Sequence, residues 1–283
     1  MPSVSLTHPT PVSGRPRAAL ISAPNLSEAW LDALELLIDQ GGKAVNLMVV
    51  MPGQAPEDPV IRAALDGFIT AHPSLAQPVD TVASTLFPID LYFPRLGERA
   101  AAHLYTSYIE AYPFLRKHRG NMSGTYFGRL VAWERPGEAP LNQLARVIER
   151  LRAQRRLPGP KSSAYELSVV PAGGWDAELR IQGPDDTNLM GFPCLSHISL
   201  TLADGELHLS ALYRNQFFIQ RAYGNYLGLT RLLGFICREV GCAPGEIACW
   251  ATHADAEAPG RSRSLVMAAR DAQNAAAGEV AHV

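Results

Sequence analysis

The sequence is poor in cysteine and has no excess charge of either sign. It also lacks any long hydrophobic run. Its 283 residues include four cysteines, Cys194, Cys237, Cys242 and Cys249, none in a C-x-x-C spacing. That argues against a zinc ribbon, a metal site or a disulfide scaffold. Lys and Arg total 25 against 27 Asp and Glu, a net charge of −2. Such a balance offers no footprint for nucleic acid. No uncharged stretch approaches the roughly 20 apolar residues of a membrane span. The opening MPSVSLTHPTPVSGRPR lacks the apolar core of a signal peptide, so a reducing cytoplasm is the expected location. What is present is 47% hydrophobic and 18% charged residues in a 30.7 kDa chain. That composition belongs to a globular protein with a substantial core, not to a disordered one.

Residues 1–17 carry four prolines and no periodic pattern, and read as a flexible arm. Ala18 to Ser22 is a short apolar run. A helix capped by Ser27 follows and stops at Gly41-Gly42. Ala44 to Met51 reads as a strand, and Pro59 to Thr70 and Arg99 to Tyr112 as helices. From Leu141 to Gln154, Leu141, Leu144, Val147, Ile148 and Leu151 recur at helical spacing. A basic, proline-broken loop from Arg155 to Ser163 leads to a strand from Tyr165 to Val170. Leu195–Leu202 and Glu206–Tyr213 alternate on either side of Ala203-Asp204-Gly205, a strong hairpin signal. A long apolar helix from Tyr226 to Val240 ends at Gly241, and Glu246 to Thr252 is a further strand. The segment after Asp255 is rich in Ala and Arg and shows no strong stripe. The segments interlock, so the expectation is one α+β domain over 18–255 followed by a tail, 256–283.

Cys194 is the residue able to carry covalent chemistry. It opens the first hairpin strand, where a thiol can face a cleft. A cysteine attacks as thiolate and needs a cation nearby. Arg214 ends the same hairpin at about the same distance from the turn, so pairing brings the two together. The structural alternative is a buried cysteine. Cys194 is expected to be the only cysteine facing a cleft, with Cys237 and Cys249 buried. Asn225, just before the long helix, either caps it or reads an amide-bearing ligand. His253 follows a strand. Tyr126 and Arg129 in GTYFGR either line a pocket or pack. Arg152, Arg155, Arg156 and Lys161 either hold a phosphate or form a solvated basic loop.

Several of these segments resemble the thymidylate synthase and pyrimidine-nucleotide hydroxymethylase superfamily, most clearly over residues 120–255. GNMSGTYFGRLVAWERPGEAPLNQLARVIERLR is similar to the family's Gly-x-x-Tyr-Gly stretch with its proline loop and following helix. GFPCLSHISLTLADGELHLSALYRN resembles its Pro-Cys hairpin. RNQFFIQRAYGNYLGLTRLLGFI and CAPGEIACWATHAD resemble the segments carrying its Arg-Ser, its Phe-Asn and its Asp-Thr-His. The resemblance implies a single domain built on a twisted mixed or antiparallel sheet, with helices packed on one face.

The resemblance also implies a chemistry. A cysteine thiolate adds to C6 of a pyrimidine nucleotide or nucleoside, and C5 then takes up a methyl or hydroxymethyl unit. Cys194 would be the nucleophile and Arg214 the phosphate-binding arginine beside it. Asn225 would pair with the base edge and His253 would lie near the sugar hydroxyl. Asn215 stands where the family has the serine after that arginine, and Leu195 where it has a histidine after Pro-Cys. Ser162 and Ser163 stand where it has paired arginines, and Asp255 where it has a tyrosine. Phe217 stands where it has the carboxylate that holds the folate, which argues against methylenetetrahydrofolate as the donor. The family implies a homodimer joined sheet to sheet, and Leu195, Ser199, Leu207, Leu209 and Ala211 would line the joining face. The alternative is a non-catalytic nucleotide-binding or protein-interaction module on the same fold.

Overall fold

The computed structural model describes residues 18–54, 56–118, 121, 124–135, 137–163, 165–169 and 194–280. The expected N-terminal arm, 1–17, and the Gly191-Phe192-Pro193 lead-in to Cys194 lie outside the described residues.

Strand β1 (Ala19–Ser22) leads into helix α1 (Leu26–Asp39). The α1 cap is Asn25, whose Oδ1 accepts from the Glu28 N–H at 2.9 Å. Ser27, expected as the cap, lies in the first turn instead. It is buried, hydrogen-bonded to the Tyr223 hydroxyl at 2.7 Å, and accepts from the Asp58 N–H at 2.9 Å. Strand β2 (Lys43–Pro52) follows the double-glycine stop. Helix α2 (Pro59–Ala71) starts with Pro59 behind the Asp58 cap, and short α3 (Val79–Leu86) and longer α4 (Ala100–Leu115) follow. Next come α5 (Tyr126–Val131), a small ribbon of β3 (Trp133–Arg135) and β4 (Glu138–Leu141), and α6 (Gln143–Arg155). Leu141, expected to open α6, ends β4, because Asn142 takes the capping position with Oδ1 2.8 Å from the Ala145 N–H.

The second half supplies β5 (Tyr165–Ser168), β6 (Leu195–Ala203), β7 (Glu206–Tyr213) and the two-residue β8 (Gln216–Phe217). A single π turn, Phe218–Ala222, then feeds α7 (Tyr223–Val240), and β9 (Ala243–Asp255) closes the sheet. The segment after β9, expected without a stripe, forms α8 (Pro259–Val280) and packs on α1 and α2. Its anchor is Arg270, which reaches Asp32 at 2.5 Å, Glu35 at 2.9 Å and Glu28 at 3.4 Å.

The main sheet runs β1-β2-β9-β7-β6-β5, with β8 also on β9. β1/β2 and β7/β9 are parallel, and the β2/β9, β6/β7 and β5/β6 pairs are antiparallel. The mixed α+β architecture agrees with expectation. One face of the sheet carries the core. On that face lie Leu195, Leu207, Leu209 and Ala211, all at most 2% exposed. They therefore cannot line an open face, as the sequence reading expected; only Ser199 of that set sits on the other side. Leu207, Leu209 and Ala211 face the core by plain alternation, opposite to Ser199 and Ser210, and a bulge between Leu195 and His197 returns Leu195 to the same side as Ile198. The open face carries a different row across four strands. Leu20 pairs with Met48, Met48 with Trp250, and Trp250 with Leu212. Leu20, Met48 and Trp250 are 45%, 37% and 44% exposed.

α7 is buried through most of its length because α3 approaches it closely. A Cβ on Gly224 would lie 2.6 Å from the Val82 Cβ, and one on Gly228 would lie 2.9 Å from the Ala83 carbonyl oxygen. The backbone contact leaves little room to relax. Gly228→Ala should therefore lower unfolding free energy by about 1–3 kcal/mol, the cost of overpacking outweighing the roughly 1 kcal/mol of added helix propensity. Urea titration checks this, and a stabilised Gly228→Ala would show that the two helices move apart freely.

Candidate functional site

The hairpin builds the centre of the site. Asp204 and Gly205 both take positive φ, 50° and 85°, as a two-residue turn matched to strand twist requires. From that turn the ladder runs in register to His197–Leu212 and then slips by one at the bulge, so that Leu195 faces Tyr213. Without the slip Cys194 would face Asn215. With it, the Arg214 N–H donates to the Cys194 carbonyl at 2.9 Å. The juxtaposition expected from counting back from the turn is present, and the bulge produces it.

Cys194 is half-buried. Burial pushes its thiol pKa up, while the positive charges of Arg214 and Arg221 pull it down. Burial is the larger effect, so the group rests as a thiol with two guanidinium groups biasing it toward thiolate. Tyr126, the first residue of α5, lies against the backbone of Cys194 and Leu195, and burial raises its phenol to about 12. Arg129, one turn along α5, donates from Nη1 to the Val169 carbonyl at 3.1 Å. Burial lowers its pKa, and Tyr112 and Tyr126 oppose that. Gln143 fastens α6 to this corner, donating from Nε2 to the carbonyls of Arg129 at 3.1 Å and Ser168 at 2.9 Å.

Strand β9 holds the other side. Thr252 Oγ1 donates to the Arg214 carbonyl at 2.8 Å, and His253 Nδ1 lies 2.6 Å from Asn215 Oδ1. With its Nδ1 proton given to Asn215, a neutral His253 presents Nε2 as an acceptor. Phe217 in β8 is half-buried and pairs with Asp255. Asn225 does not cap the long helix. α7 begins at Tyr223, which places Asn225 inside its first turn, 2% exposed, with Oδ1 unpaired among the described residues. An unpaired buried acceptor costs about 1–3 kcal/mol, which a ligand donor would recover.

Two groups escaped the sequence reading. Arg221, in the π turn, is exposed and lines a cavity of about 490 Å³ with Thr81, Ser84, His118 and Thr125. Glu257 holds that turn in place, its Oε2 accepting from the N–H groups of Ile219 at 2.9 Å and Gln220 at 3.1 Å. Neither lies in a periodic pattern, so nothing in the sequence marks them.

Other candidates resolve differently. Arg152 bonds the Glu239 carbonyl at 2.6 Å and its carboxylate at 2.8 Å, and Arg155 bonds the Val240 carbonyl at 3.0 Å. These arginines hold the end of α7. Cys237 and Cys249 are buried, as expected, but Cys242 is half-buried and lines a second cavity. Of the cysteines, Cys242 and buried Cys237 line a described cavity, while Cys194 is half-buried and lines neither of the two described cavities. Among the described residues no group of three or more His, Cys, Asp or Glu converges as a metal site would require. No described helix is long and apolar enough to cross a membrane.

The fold and this hairpin define an α+β protein that displays a cysteine–arginine pair at the end of a sheet hairpin. Comparison with known proteins adds the family. No family model matches the chain. Several proteins named "Putative thymidylate synthase" do match, among them three from Methanococcoides and Methanosarcina. The protein of Methanococcoides burtonii is 32% identical over 239 residues, covering 81% of this chain and 84% of its own. Those of Methanosarcina barkeri and Methanosarcina acetivorans are each 34% identical over 124 residues, 44% of this chain. The match spans 48% of each Methanosarcina protein, about half its length. The chain belongs to this thymidylate-synthase-like family.

The electrostatics of Cys194 can be read directly. Removing either arginine raises the thiol pKa and lowers the thiolate fraction at neutral pH. Arg214→Ala and Arg221→Ala should each slow iodoacetamide alkylation of Cys194, followed by peptide mass spectrometry. Unchanged rates in both would show that neither charge reaches the sulfur.

Proposed function

We propose that this chain is a pyrimidine C5 methyl- or hydroxymethyltransferase acting on a nucleotide or nucleoside. The observation that carries the reading is the Cys194–Arg214 pair, fixed across the hairpin by the 2.9 Å backbone bond and biased toward thiolate by two guanidinium groups. In this reading the Cys194 thiolate adds to C6 and breaks the 5,6 double bond. The electron pair moves to C5, which attacks an activated one-carbon unit, and the donor leaves with the electron pair of its broken bond to that carbon. Loss of the C5 proton then expels Cys194 and restores the double bond.

Each neighbour has a role. Arg214 and Asn215 bind an oxygen-rich substituent, phosphate or sugar. His253 Nε2 accepts from a sugar hydroxyl. Asn225 Oδ1 accepts from the ring N–H, which pairs the orphaned oxygen. Tyr126 and Arg129 close the side of the pocket behind the sulfur. Phe217 offers no acceptor for the amino groups of a pterin. The residues therefore do not fit methylenetetrahydrofolate at the family's position, and no step is derived through it. The loss of that carboxylate, with Ser162 and Ser163 in place of an arginine pair, supports a second reading, a nucleotide-binding module without turnover.

One experiment separates the two. Pyrimidine nucleotides and nucleosides tritiated at C5 release tritium to water once C6 carries the thiolate, even when no product forms. The enzyme reading expects release that Cys194→Ser abolishes while ligand affinity stays nearly unchanged. Binding without release across the panel would establish the module.

We also propose that the chain is a homodimer through the open sheet face, where exposed Leu20, Met48 and Trp250, with half-buried Leu212 beside them, supply the apolar centre. Light scattering at micromolar concentration should give twice the chain mass, and Trp250→Lys should give the monomer. A wild-type monomer would contradict the proposal.

A further inference from the structure

The C-terminal end of α7 shows how a common helix stop can bring two thiols together. Gly241 takes φ 79°, and the N–H groups of Gly241 and Cys242 both donate to the Cys237 carbonyl, at 2.7 and 3.1 Å. The six-residue loop closed by Cys242 and Cys237 is the Schellman arrangement, in which the residue just past the glycine packs on the residue at the start of the loop. Two apolar side chains usually make that contact. Here both are cysteines, and the Cys237 and Cys242 thiols are hydrogen-bonded to each other.

The two sulfurs are not equivalent. Cys237 is 3% exposed and Cys242 is half-buried. The Cys237 thiol donates to Cys242 and, with the Arg155 guanidinium, draws the Cys242 pKa down; the same contact, with burial, pushes Cys237 up. Arg155 is held in place by its 3.0 Å bond to the Val240 carbonyl. Both cysteines line a cavity of about 580 Å³, along with Tyr92, Thr230 and Arg238, roomy enough for a small molecule to reach the sulfurs. This site lies at the opposite end of α7 from Asn225 and does not depend on the reading of Cys194.

We propose that Cys237 and Cys242 form a reversible dithiol–disulfide centre whose oxidant is a low-molecular-weight disulfide. The Cys242 sulfur, the more accessible of the two, attacks one sulfur of the small disulfide, whose S–S bond breaks as one thiolate leaves with the electron pair. Cys237 then gives up its proton and attacks the Cys242 sulfur, expelling the second thiolate. The pair loses two electrons, the small disulfide gains them, and two protons end on the two released thiols.

The chain itself supplies a clean readout, because Arg238 lies between the two cysteines. The folded protein is mixed with excess 2-hydroxyethyl disulfide, quenched with N-ethylmaleimide and cut with trypsin. Peptides 232–238 and 239–261 should appear joined by a disulfide, and fragmentation should place the bond on Cys242, not Cys249. Cys237→Ser should accumulate a stable 2-hydroxyethyl adduct on Cys242. Cys242→Ser should give neither the joined pair nor an adduct on Cys237. Near-ultraviolet circular dichroism confirms that each variant is folded. Closure should be about tenfold or more faster in the folded than in the urea-unfolded chain, because the helix stop presents the pair preassembled. Absence of the joined pair, absence of the adduct in Cys237→Ser, or equal rates folded and unfolded would each overturn the proposal.

Discussion

Strand β9 is the element on which the rest depends. Its antiparallel pairing runs from Lys43–Asp255 to Pro52–Glu246 along β2, and its parallel pairing runs along β7 and then β8. The first third of the chain is thereby tied to the hairpin that carries Cys194. The same strand reaches past its ladder with side chains. Thr252 grips the carbonyl of Arg214, and His253 grips the amide of Asn215. The residues that end the hairpin are thus fixed by backbone pairing on the Cys194 side and by side chains on the β9 side. A site needing two guanidinium groups near one sulfur requires that kind of double restraint, because a loose Arg214 would spend its charge on water.

The second restraint is the approach of α3 to α7. Gly224 and Gly228 let the backbones nearly touch, and Asn225 lies between them in sequence, inside the packed turn. Burial of an amide there, its oxygen unpaired among the described residues, costs stability that packing alone does not require. A sequence that kept Asn for capping would place it at the helix entrance, yet the π turn extends α7 backward by three residues and moves Asn225 inside.

The sequence was legible wherever the hydrophobic period was strong. The β6–β7 hairpin, α2, α4 and the long α7 appear within a few residues of where spacing puts them. That Cys194 and the end of the hairpin lie near each other was also legible from the Asp-Gly turn, but the turn register alone points to Asn215, and the bulge supplies Arg214. Three features were not. The phase of β6 was misjudged because a bulge, which has no compositional signature, moved Leu195 onto the core side. α3 was missed because eight residues with Pro78 in front show too little period; only packing against α7 makes it a helix. α8 was missed because its apolar contact is short, Leu265, Val266 and Ala269 among many alanines, with Arg270 adding ion pairs to three carboxylates of α1. At the site, Arg221 and Glu257 were invisible for a related reason: a π turn and an isolated acid have no periodicity to read.

The pattern of what the site holds and what it lacks separates two halves of one chemistry. Cys194 and Arg214 are joined across the hairpin, His253 meets Asn215, and Asn225 is buried in the first turn of α7. β8 presents the ring of Phe217 and no carboxylate. The account therefore rests on thiol addition to the pyrimidine ring, and a spectroscopic titration tests that step with no donor present. Addition at C6 removes the 5,6 double bond and with it the ring's near-ultraviolet absorbance. Mixing stoichiometric protein with a 5-fluoropyrimidine nucleotide, whose C5 fluorine cannot leave as a cation, should bleach that absorbance in the wild type and leave it unchanged in Cys194→Ser. Bound nucleotide with undiminished absorbance in the wild type, or equal bleaching in the variant, would contradict the account.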